Sequence, residues 1–291
     1  MTTTTTTAMT ITGLEVPVFS PASAMAALSR GASRLEVNRA GSYPQGGTTP
    51  DEAEVAPLSG SPAPLRIMIR PRGPPTVGGG GGAGPDFVYS GAELDDMRDA
   101  IRRFKACGHL RAERGDGFVF GVLMEEKEEE EEEGRAALAV DVDANSELVQ
   151  LARPFPCVFH RAFDDVLGSS SSSSSNTVER ALRAVAACGF DGVLTSGGPG
   201  RAADNAEALS LVLRRAVPAG LEVIVGGGVR SSNARALRGA LLCGGGGGGA
   251  VPGGARVWLH SSCLTARSGG EVDEEEVARI VSVLGEGALE A

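Results

Sequence analysis

The segment 159–164, Phe-His-Arg-Ala-Phe-Asp, places three side chains that can do chemistry at the end of a short apolar run. A histidine such as His160 transfers protons near neutral pH or binds a metal through one ring nitrogen. Arg161 can hold an anion, and Asp164 can fix the tautomer of the imidazole ring. We therefore predict that His160, Arg161 and Asp164 are catalytic residues.

Other apolar runs with the composition of β-strands also end in polar residues. The carboxyl ends of parallel barrel strands meet at one face of the barrel, where barrel enzymes hold their active sites. We therefore expect a ligand-binding site there, built from residues at the ends of several strands. The candidates are Glu36, Arg70, Arg72, Thr195, Ser196, Gly227, Gly228, His260 and Ser261.

Two parts of this set have more than one interpretation. Glu36 and Arg70 can form a structural ion pair on adjacent strands, since neither charge is expected to be buried without a partner, or they can contact a ligand. Gly227 and Gly228 can bind a phosphate through backbone N–H groups, as loops after the seventh and eighth barrel strands often do, or they can form a tight turn.

The strands that would position these residues alternate with helical segments along the chain. Strands are predicted to begin near residues 14, 34, 65, 117, 156, 192, 221 and 256. Helices are predicted at 21–30, 91–106, 146–152, 177–187, 202–216, 231–242 and 273–284, and the proline-rich segment 50–64 holds at most a short helix. Eight β/α units favour a single (β/α)8 TIM barrel of the α/β class over a doubly wound open sheet.

The predicted barrel covers residues 14–291 and follows a disordered N-terminal segment, residues 1–13. Four low-complexity insertions interrupt it, at 78–84, 125–133, 169–175 and 244–249. Tracts of glycine, serine or glutamate cannot bury enough apolar surface to offset the entropy of ordering them. We therefore expect these insertions to be mobile surface loops.

Most of the formal net charge of −10 lies in one segment, because residues 125–133 hold eight glutamates and one lysine. The rest of the chain shows no basic face and no basic amphipathic segment, so neither a nucleic-acid nor a membrane partner is expected. The N-terminus lacks the features of a secretory signal, and the five cysteines never occur in CxxC spacing. We expect a cytoplasmic protein with reduced thiols.

Several motifs occur in a fixed order between about residue 14 and residue 262. They are GGTTP at 46–50, IRPRG at 69–73, FHRAFD at 159–164, LTSG at 194–197, GGGVR at 226–230 and HSS at 260–262. With these motifs the sequence resembles the CutC copper homeostasis proteins. The resemblance implies a TIM barrel in the cytoplasm that binds or buffers copper as Cu(I), with a possible homo-oligomeric assembly.

The copper ligands proposed for that family do not carry over to this sequence. They are cysteines that follow Glu-Val or Glu-Leu on the first two strands, and Pro17 and Asn38 stand at the matching positions here. Neither residue supplies the soft sulfur donor that Cu(I) prefers. Cys263, near the predicted site, and His260 are the remaining candidate metal ligands.

Three functions therefore remain open. The resemblance implies a copper homeostasis protein that binds Cu(I). The composition of the site favours an enzyme that acts on a small anionic or phosphorylated metabolite, with His160, Arg161 and Arg70 in the reaction. The third possibility is a non-catalytic barrel whose polar residues only satisfy one another.

Overall fold

A computed structural model describes residues 10–75, 84–126, 137–169, 175–243 and 256–286. Its strands are β1 (Thr10–Val18), β2 (Arg34–Val37), β3 (Leu65–Met68), β4 (Gly117–Phe120), β5 (Leu123–Glu126), β6 (Ala137–Val140), β7 (Cys157–Phe159), β8 (Gly192–Thr195), β9 (Glu222–Val225) and β10 (Arg256–His260). Eight of them form a closed parallel barrel in the order β1-β10-β9-β8-β7-β4-β3-β2. Closure through β1 and β10 confirms the (β/α)8 barrel and excludes an open sheet.

Helices surround the barrel. They are α1 (Pro21–Ser29), α2 (Glu52–Val55), α3 (Gly91–Ala106), α4 (Val142–Ala152), α5 (Ala162–Ser169), α6 (Ser175–Ala187), α7 (Ala206–Ala216), α8 (Ser231–Cys243) and α9 (Glu274–Gly285). Short 3-10 turns lie at Tyr43–Gln45, Ala56–Leu58 and Ala112–Arg114. Within the described ranges, every helix is too short or too polar to cross a lipid bilayer.

Helix α3 shows how the sequence sets these boundaries. The hydroxyl of Ser90 accepts a hydrogen bond from the N–H of Glu93, and the Glu93 carboxylate accepts one from the N–H of Ser90, which forms a capping box. Gly108, with φ of 76°, follows the helix. The buried residues Met97 and Phe104 are seven positions apart, so one apolar face packs on the barrel.

Side chains alternate between two cores along each barrel strand. One set packs between the barrel and the helices, and this outer core includes Leu65, Ile67 and Cys157. The other set points into the barrel, where an apolar layer is formed by Met68, Val119, Val158, Leu194 and Ile224, with Trp258 against it. His160 lies three residues after Cys157, which belongs to the outer core, and therefore points into the barrel.

The sequence analysis missed three elements, which are β5, β6 and α5, and misplaced several boundaries. Helix α4 begins at Val142 and not at residue 146, and α7 begins at Ala206 and not at residue 202. Strands β5 and β6 form an antiparallel hairpin in which Leu123 pairs with Val140, so residues 125 and 126 are in a strand and not in a mobile loop. Residues 169 and 175 likewise lie in α5 and α6. Strand β1 begins at Thr10 and not at residue 14, because Thr10 and Ile11 pair with β10.

The remaining predictions for low-complexity segments lie outside the described residues. This applies to residues 1–9 and to most of the four insertions. Segment 50–64 does hold only the short helix α2 and one 3-10 turn, as expected from its prolines. The α5 helix escaped prediction because it starts directly after the chemical motif, although its buried residues Phe163, Val166 and Leu167 follow a helical period.

Candidate functional site

A cavity of about 450 Å³ lies at the carboxyl ends of the barrel strands. Residues from seven of the eight barrel units line it, so the closure of the barrel brings them together. Of the residues predicted from the sequence, it is lined by Glu36, Arg70, His160, Arg161, Gly227, Gly228, His260 and Ser261. Five predicted residues do not line it: Arg72, Asp164, Thr195, Ser196 and Cys263.

His160 is 3% exposed and presents an imidazole with one unused nitrogen to this region. Its Nδ1 accepts a hydrogen bond from the N–H of Ala162 at 3.3 Å, which leaves the proton of the neutral ring on Nε2. Nε2 is buried and finds no partner among the described residues. Burial, and secondarily the positive charge of Arg70, lowers the pKa of His160 well below its usual value. The ring is therefore a neutral hydrogen-bond donor at pH 7.

A glycine allows this ring to sit where it does. A Cβ atom on Gly121 would lie 2.8 Å from Nδ1 of His160, closer than side-chain carbons approach. The Phe87 ring packs on the other side, with its centroid 4.6 Å from that of the imidazole. The ring is therefore held by packing and not by a carboxylate.

Asp164 does not orient His160, contrary to the role first assigned to it. Its carboxylate accepts hydrogen bonds from the hydroxyls of Thr195 (2.5 Å) and Ser196 (2.8 Å) and from the N–H groups of Ser196 and Gly198. It also pairs with Nε of Arg161 at 2.8 Å. Asp164, Thr195 and Ser196 thus form a buried network beneath the cavity that positions the Arg161 guanidinium.

The ion pair predicted between Glu36 and Arg70 is not formed. Arg70 instead pairs with Asp86 at 2.8 Å and donates to the carbonyls of Gln45 and Gly47, so the loop that follows β2 uses most of its donors. Its guanidinium also lies over the Phe87 ring. Arg70 bonds to loop carbonyls and to Asp86 in place of Glu36. The pattern of the strands could not predict these loop contacts.

Arg72 does not line the cavity and has a structural role in the loop beside it. Its Nε donates to Glu93 at 2.5 Å, and one terminal nitrogen donates to the carbonyl of Val88 at 2.9 Å. It also lies over the Tyr89 ring. Arg72 therefore holds the start of α3 against the loop that follows β3.

Glu36 and His260 meet at the bottom of the cavity, beside Glu15. One ligand-type atom from each of these three residues lies within 4.8 Å of the others. Nδ1 of His260 is 2.8 Å from Oε1 of Glu15, and Nδ2 of Asn38 donates to Oε1 of Glu36 at 3.0 Å. Oε2 of Glu36 is buried and has no partner among the described residues.

Burial favours the neutral form of all three groups, but their neighbours make the resulting pKa shifts differ. Burial raises the pKa of Glu36, which has few compensating contacts. Burial also opposes the charge on Glu15, but Arg34 and His260 outweigh it and lower the pKa of that carboxyl to about 2. For His260 burial favours the neutral ring, yet Glu36 and Glu15 outweigh it, so its pKa is raised.

A ladder of charged residues fills the barrel below this cluster. Arg34 bonds to Glu15 and, at 2.8 Å, to Glu222, and its guanidinium lies 4.0 Å from the Trp258 ring centroid. Arg66 is 3.7 Å from Glu222. Two guanidinium groups therefore face two carboxylates, and the ladder carries no net charge.

The loop after β9 gives the cavity its anion-binding character. Gly227 and Gly228 have φ of 91° and 76°, a region that favours glycine, and a Cβ on Gly227 would lie 2.8 Å from Cβ of Ser196. Neither N–H group donates to another group within the described ranges. Arg161, half-exposed, and Arg230 also line this part of the cavity.

The sequence analysis missed several cavity residues. Arg230 follows the glycine loop, and Asp86, Phe87 and Asp165 come from segments that were not predicted to reach the site. Burial, together with the nearby charges of Asp86 and Asp164, raises the pKa of Asp165 to about 6. Only Arg230 had a usable signal, since it belongs to the GGGVR motif.

The thiols lie away from this cavity. Cys157 and Cys263 are buried, and burial raises the pKa of each to about 12. Cys263 belongs to the outer core, although its backbone follows the cavity residues Ser261 and Ser262. Its pairing with His260 as a metal ligand set is therefore not reproduced by the described residues.

The model of the CutC family matches residues 12–241. The chain therefore belongs to the CutC family. Among curated relatives, the mouse "Copper homeostasis protein cutC homolog" is 32% identical over 221 residues, which are 76% of this chain and 66% of the mouse protein. The human homolog is 31% identical over the same shares. A CutC family protein of Xanthomonas campestris pv. campestris (strain B100) is 32% identical over 94% of this chain and 97% of its own length.

A solved structure shows the same fold. The CutC crystal structure from Streptococcus agalactiae superimposes with a TM-score of 0.61 and 20% identity, over 88% of this chain and all of that chain. At that identity the likeness concerns the fold alone. This CutC family member thus shares the barrel of that structure.

Proposed function

We propose that this chain acts in copper homeostasis, the function that the names of its mouse and human relatives state, and that it does so in the cytoplasm. Family membership over residues 12–241 is the observation that supports this proposal. Loss of the protein from the cells that make it should change their copper tolerance, and the intact gene should restore it. Unchanged tolerance over a range of copper concentrations would contradict the proposal.

The donor atoms around the cavity do not fit a thiolate Cu(I) centre. Pro17 lines the cavity and Asn38 lies beside Glu36, at the two positions where the family resemblance expects thiols. Met68 also lines the cavity, but a single thioether is a weak ligand set. We therefore propose a role in copper homeostasis that does not depend on holding Cu(I) through cysteines.

Cu(I) titration of the reduced protein against a competing chelator tests this proposal. The unaltered protein should leave Cu(I) with the chelator, whereas Pro17→Cys/Asn38→Cys, which restores both sulfur positions, should withdraw it. Cys263→Ser is the matched control and should behave like the unaltered protein. Stoichiometric Cu(I) binding that Cys263→Ser abolishes would show that the buried thiol is a ligand after all.

A second candidate function is an enzyme that acts on a small anionic or phosphorylated metabolite. It is favoured by the unused N–H groups of Gly227 and Gly228 beside Arg161 and Arg230, a combination that suits a phosphate. The neutral His160 would donate a hydrogen bond to the ligand from Nε2. Arg70, whose donors are mostly occupied, would shape the wall.

Thermal unfolding in inorganic phosphate tests for such a pocket, because a ligand that binds only the folded state raises Tm with its concentration. The increase should be lost in Arg161→Gln/Arg230→Gln and retained in Arg183→Gln, which changes an arginine far from the cavity. An equal increase in all three proteins would indicate a general salt effect. No increase in any of them would favour a non-catalytic barrel.

A homo-oligomer remains part of the proposal, as the family resemblance implies. Light scattering during size exclusion gives the mass of the assembly directly. A mass near 29.6 kDa, that of one chain, would contradict it.

A further inference from the structure

Glu36 and His260, at the bottom of the cavity, each have a ligand atom that finds no partner among the described residues. Oε2 of Glu36 is one of them, although Glu36 is only 4% exposed. His260 uses Nδ1 toward Glu15, and its Nε2 makes no hydrogen bond within the described ranges. An unpaired buried carboxylate oxygen costs free energy unless another group satisfies it. Oε2 of Glu36 and Nε2 of His260 are therefore suited to a ligand that accepts electron pairs from both of them.

The surroundings of His260 match those of a metal-binding histidine. Such a histidine usually donates its second ring N–H to a carboxylate, which fixes the tautomer and strengthens the nitrogen that faces the metal. Glu15 accepts this hydrogen bond at 2.8 Å, and Arg34 holds Glu15 in place from the other side. With Nδ1 protonated, a metal at Nε2 takes the place of the second proton that the charged ring would carry there.

Glu36 is oriented in a similar way by Asn38. The amide nitrogen of Asn38 donates to Oε1 of Glu36 at 3.0 Å and directs Oε2 away from this bond. A Cβ on Gly47 would lie 2.1 Å from Oδ1 of Asn38, so the loop packs closely against the amide and a glycine is needed there. The residue that replaces a family thiol thus positions a carboxylate.

The charge balance also favours a cation. Arg34 and Arg66 neutralise Glu15 and Glu222 in the ladder below, so Glu36 is the carboxylate at this level without a guanidinium partner. Its ligand atom lies within 4.8 Å of those of Glu15 and His260. Carboxylate oxygen and imidazole nitrogen together suit divalent first-row metals and not Cu(I).

We propose that Glu36 and His260 bind a divalent first-row transition-metal cation such as Zn²⁺, with Glu15 and Asn38 as the residues that orient them. Water or an anion in the cavity completes the coordination. This site goes beyond the proposed role in copper homeostasis and does not depend on it. It also does not need the phosphate site, although both face one cavity.

A second group of possible ligands supplies the control. Glu52, Cys107 and His109 also bring ligand atoms within 4.8 Å of one another, but they are only half-buried, and Sγ of Cys107 donates to the carbonyl of Phe104. A surface group of this kind can take up Zn²⁺ in a titration. The His109→Gln variant therefore distinguishes Zn²⁺ binding by this surface group from Zn²⁺ binding in the cavity.

The test is calorimetric titration of the metal-free, reduced full chain with Zn²⁺, repeated with Co²⁺, whose visible absorption reports the donor type. We expect one site that weakens at least tenfold in Glu36→Gln and in His260→Gln and is unchanged in His109→Gln. The Co²⁺ spectrum should lack the intense band of a thiolate ligand. Phosphate-free buffer keeps the result independent of the anion site.

Three results would overturn the proposal. They are no Zn²⁺ binding by the unaltered chain, binding that only His109→Gln removes, and a Co²⁺ spectrum with thiolate absorption. Glu36→Gln guards against misfolding as the explanation, because it replaces an unpaired oxygen by a group of the same shape. Its unfolding transition should match that of the unaltered chain, so any loss of metal would come from the site.

Discussion

The charge ladder inside the barrel and the cavity above it use the same residue types for different purposes. In the ladder, Arg34 bonds to both Glu15 and Glu222, and every charge has an opposite neighbour. In the cavity, His160 and Glu36 are just as deeply buried, yet Nε2 of His160 and Oε2 of Glu36 find no partner among the described residues. The ladder also leaves one nitrogen each of Arg34 and Arg66 without a hydrogen bond, so what distinguishes it is that each of its charges faces an opposite charge. A buried polar group that forms no such ion pair is therefore the candidate for contact with a ligand.

Breaking the ladder should give the largest effect on stability. Arg34→Met leaves Glu15 and Glu222 buried with much of their charge uncompensated, a change that typically costs about 3–5 kcal/mol. Chemical denaturation should show this loss as a lower unfolding midpoint. Arg30→Met is the control, because Arg30 forms an exposed pair with Glu274 and should change stability by about 0.5 kcal/mol or less.

An Arg34→Met variant as stable as the unaltered chain would contradict this distinction. It would mean that hydrophobic packing in the barrel replaces the ion pairs without loss, as happens for some buried ion pairs. The buried ion pairs of the ladder would then not be needed for the stability of the fold.

The sequence predicted the barrel well because strands and helices leave periodic patterns. All eight barrel strands begin within four residues of the predicted starts, and Gly91–Ala106 was predicted as the helix that α3 forms. The expectation that polar strand ends converge also brought Arg70, His160 and His260 to one site, and all three line the cavity. Local periodicity was therefore enough to predict the fold and the end of the barrel at which the site lies.

Pairings between distant segments could not be predicted in this way. The partner of Arg70 is Asp86 and not Glu36, and Asp164 bonds to Thr195 and not to His160. Such contacts depend on loop conformations that leave no period in the sequence. The position of each predicted residue was thus easier to infer than the bonds that it makes.

Asp165, which lines the cavity, should make the stability of the protein depend on pH, and this effect should be smaller than that of breaking the ladder. Burial and neighbouring carboxylates raise the pKa of Asp165 to about 6, against an ordinary value of 3.8. Between these two values the folded chain binds the proton that the unfolded chain has lost. Its contribution to stability is therefore fully present below about pH 3.8 and disappears as the pH rises toward 6.

Asp165→Asn removes this penalty and should stabilise the protein at pH 7.5 by about 1–2 kcal/mol, since one pKa unit corresponds to about 1.4 kcal/mol and the group is partly exposed. The gain should shrink toward zero at pH 4. Thermal unfolding at both pH values measures it. A gain that is equal at both values would show that the effect is not electrostatic.

The smallest expected change is at Glu36, and it gives the sharpest contrast with the ladder. Glu36→Gln keeps the oxygen that accepts from Asn38 and replaces the unpaired Oε2 by an amide, so no established hydrogen bond is lost. The buried charge that disappears had no guanidinium partner and is opposed by burial, so we expect the unfolding free energy at pH 7.5 to fall by no more than about 0.5 kcal/mol. A loss as large as that of Arg34→Met would mean that Glu36 belongs to the structural network with His260, and the distinction between ladder and cavity would then fail at the residue on which the metal site depends.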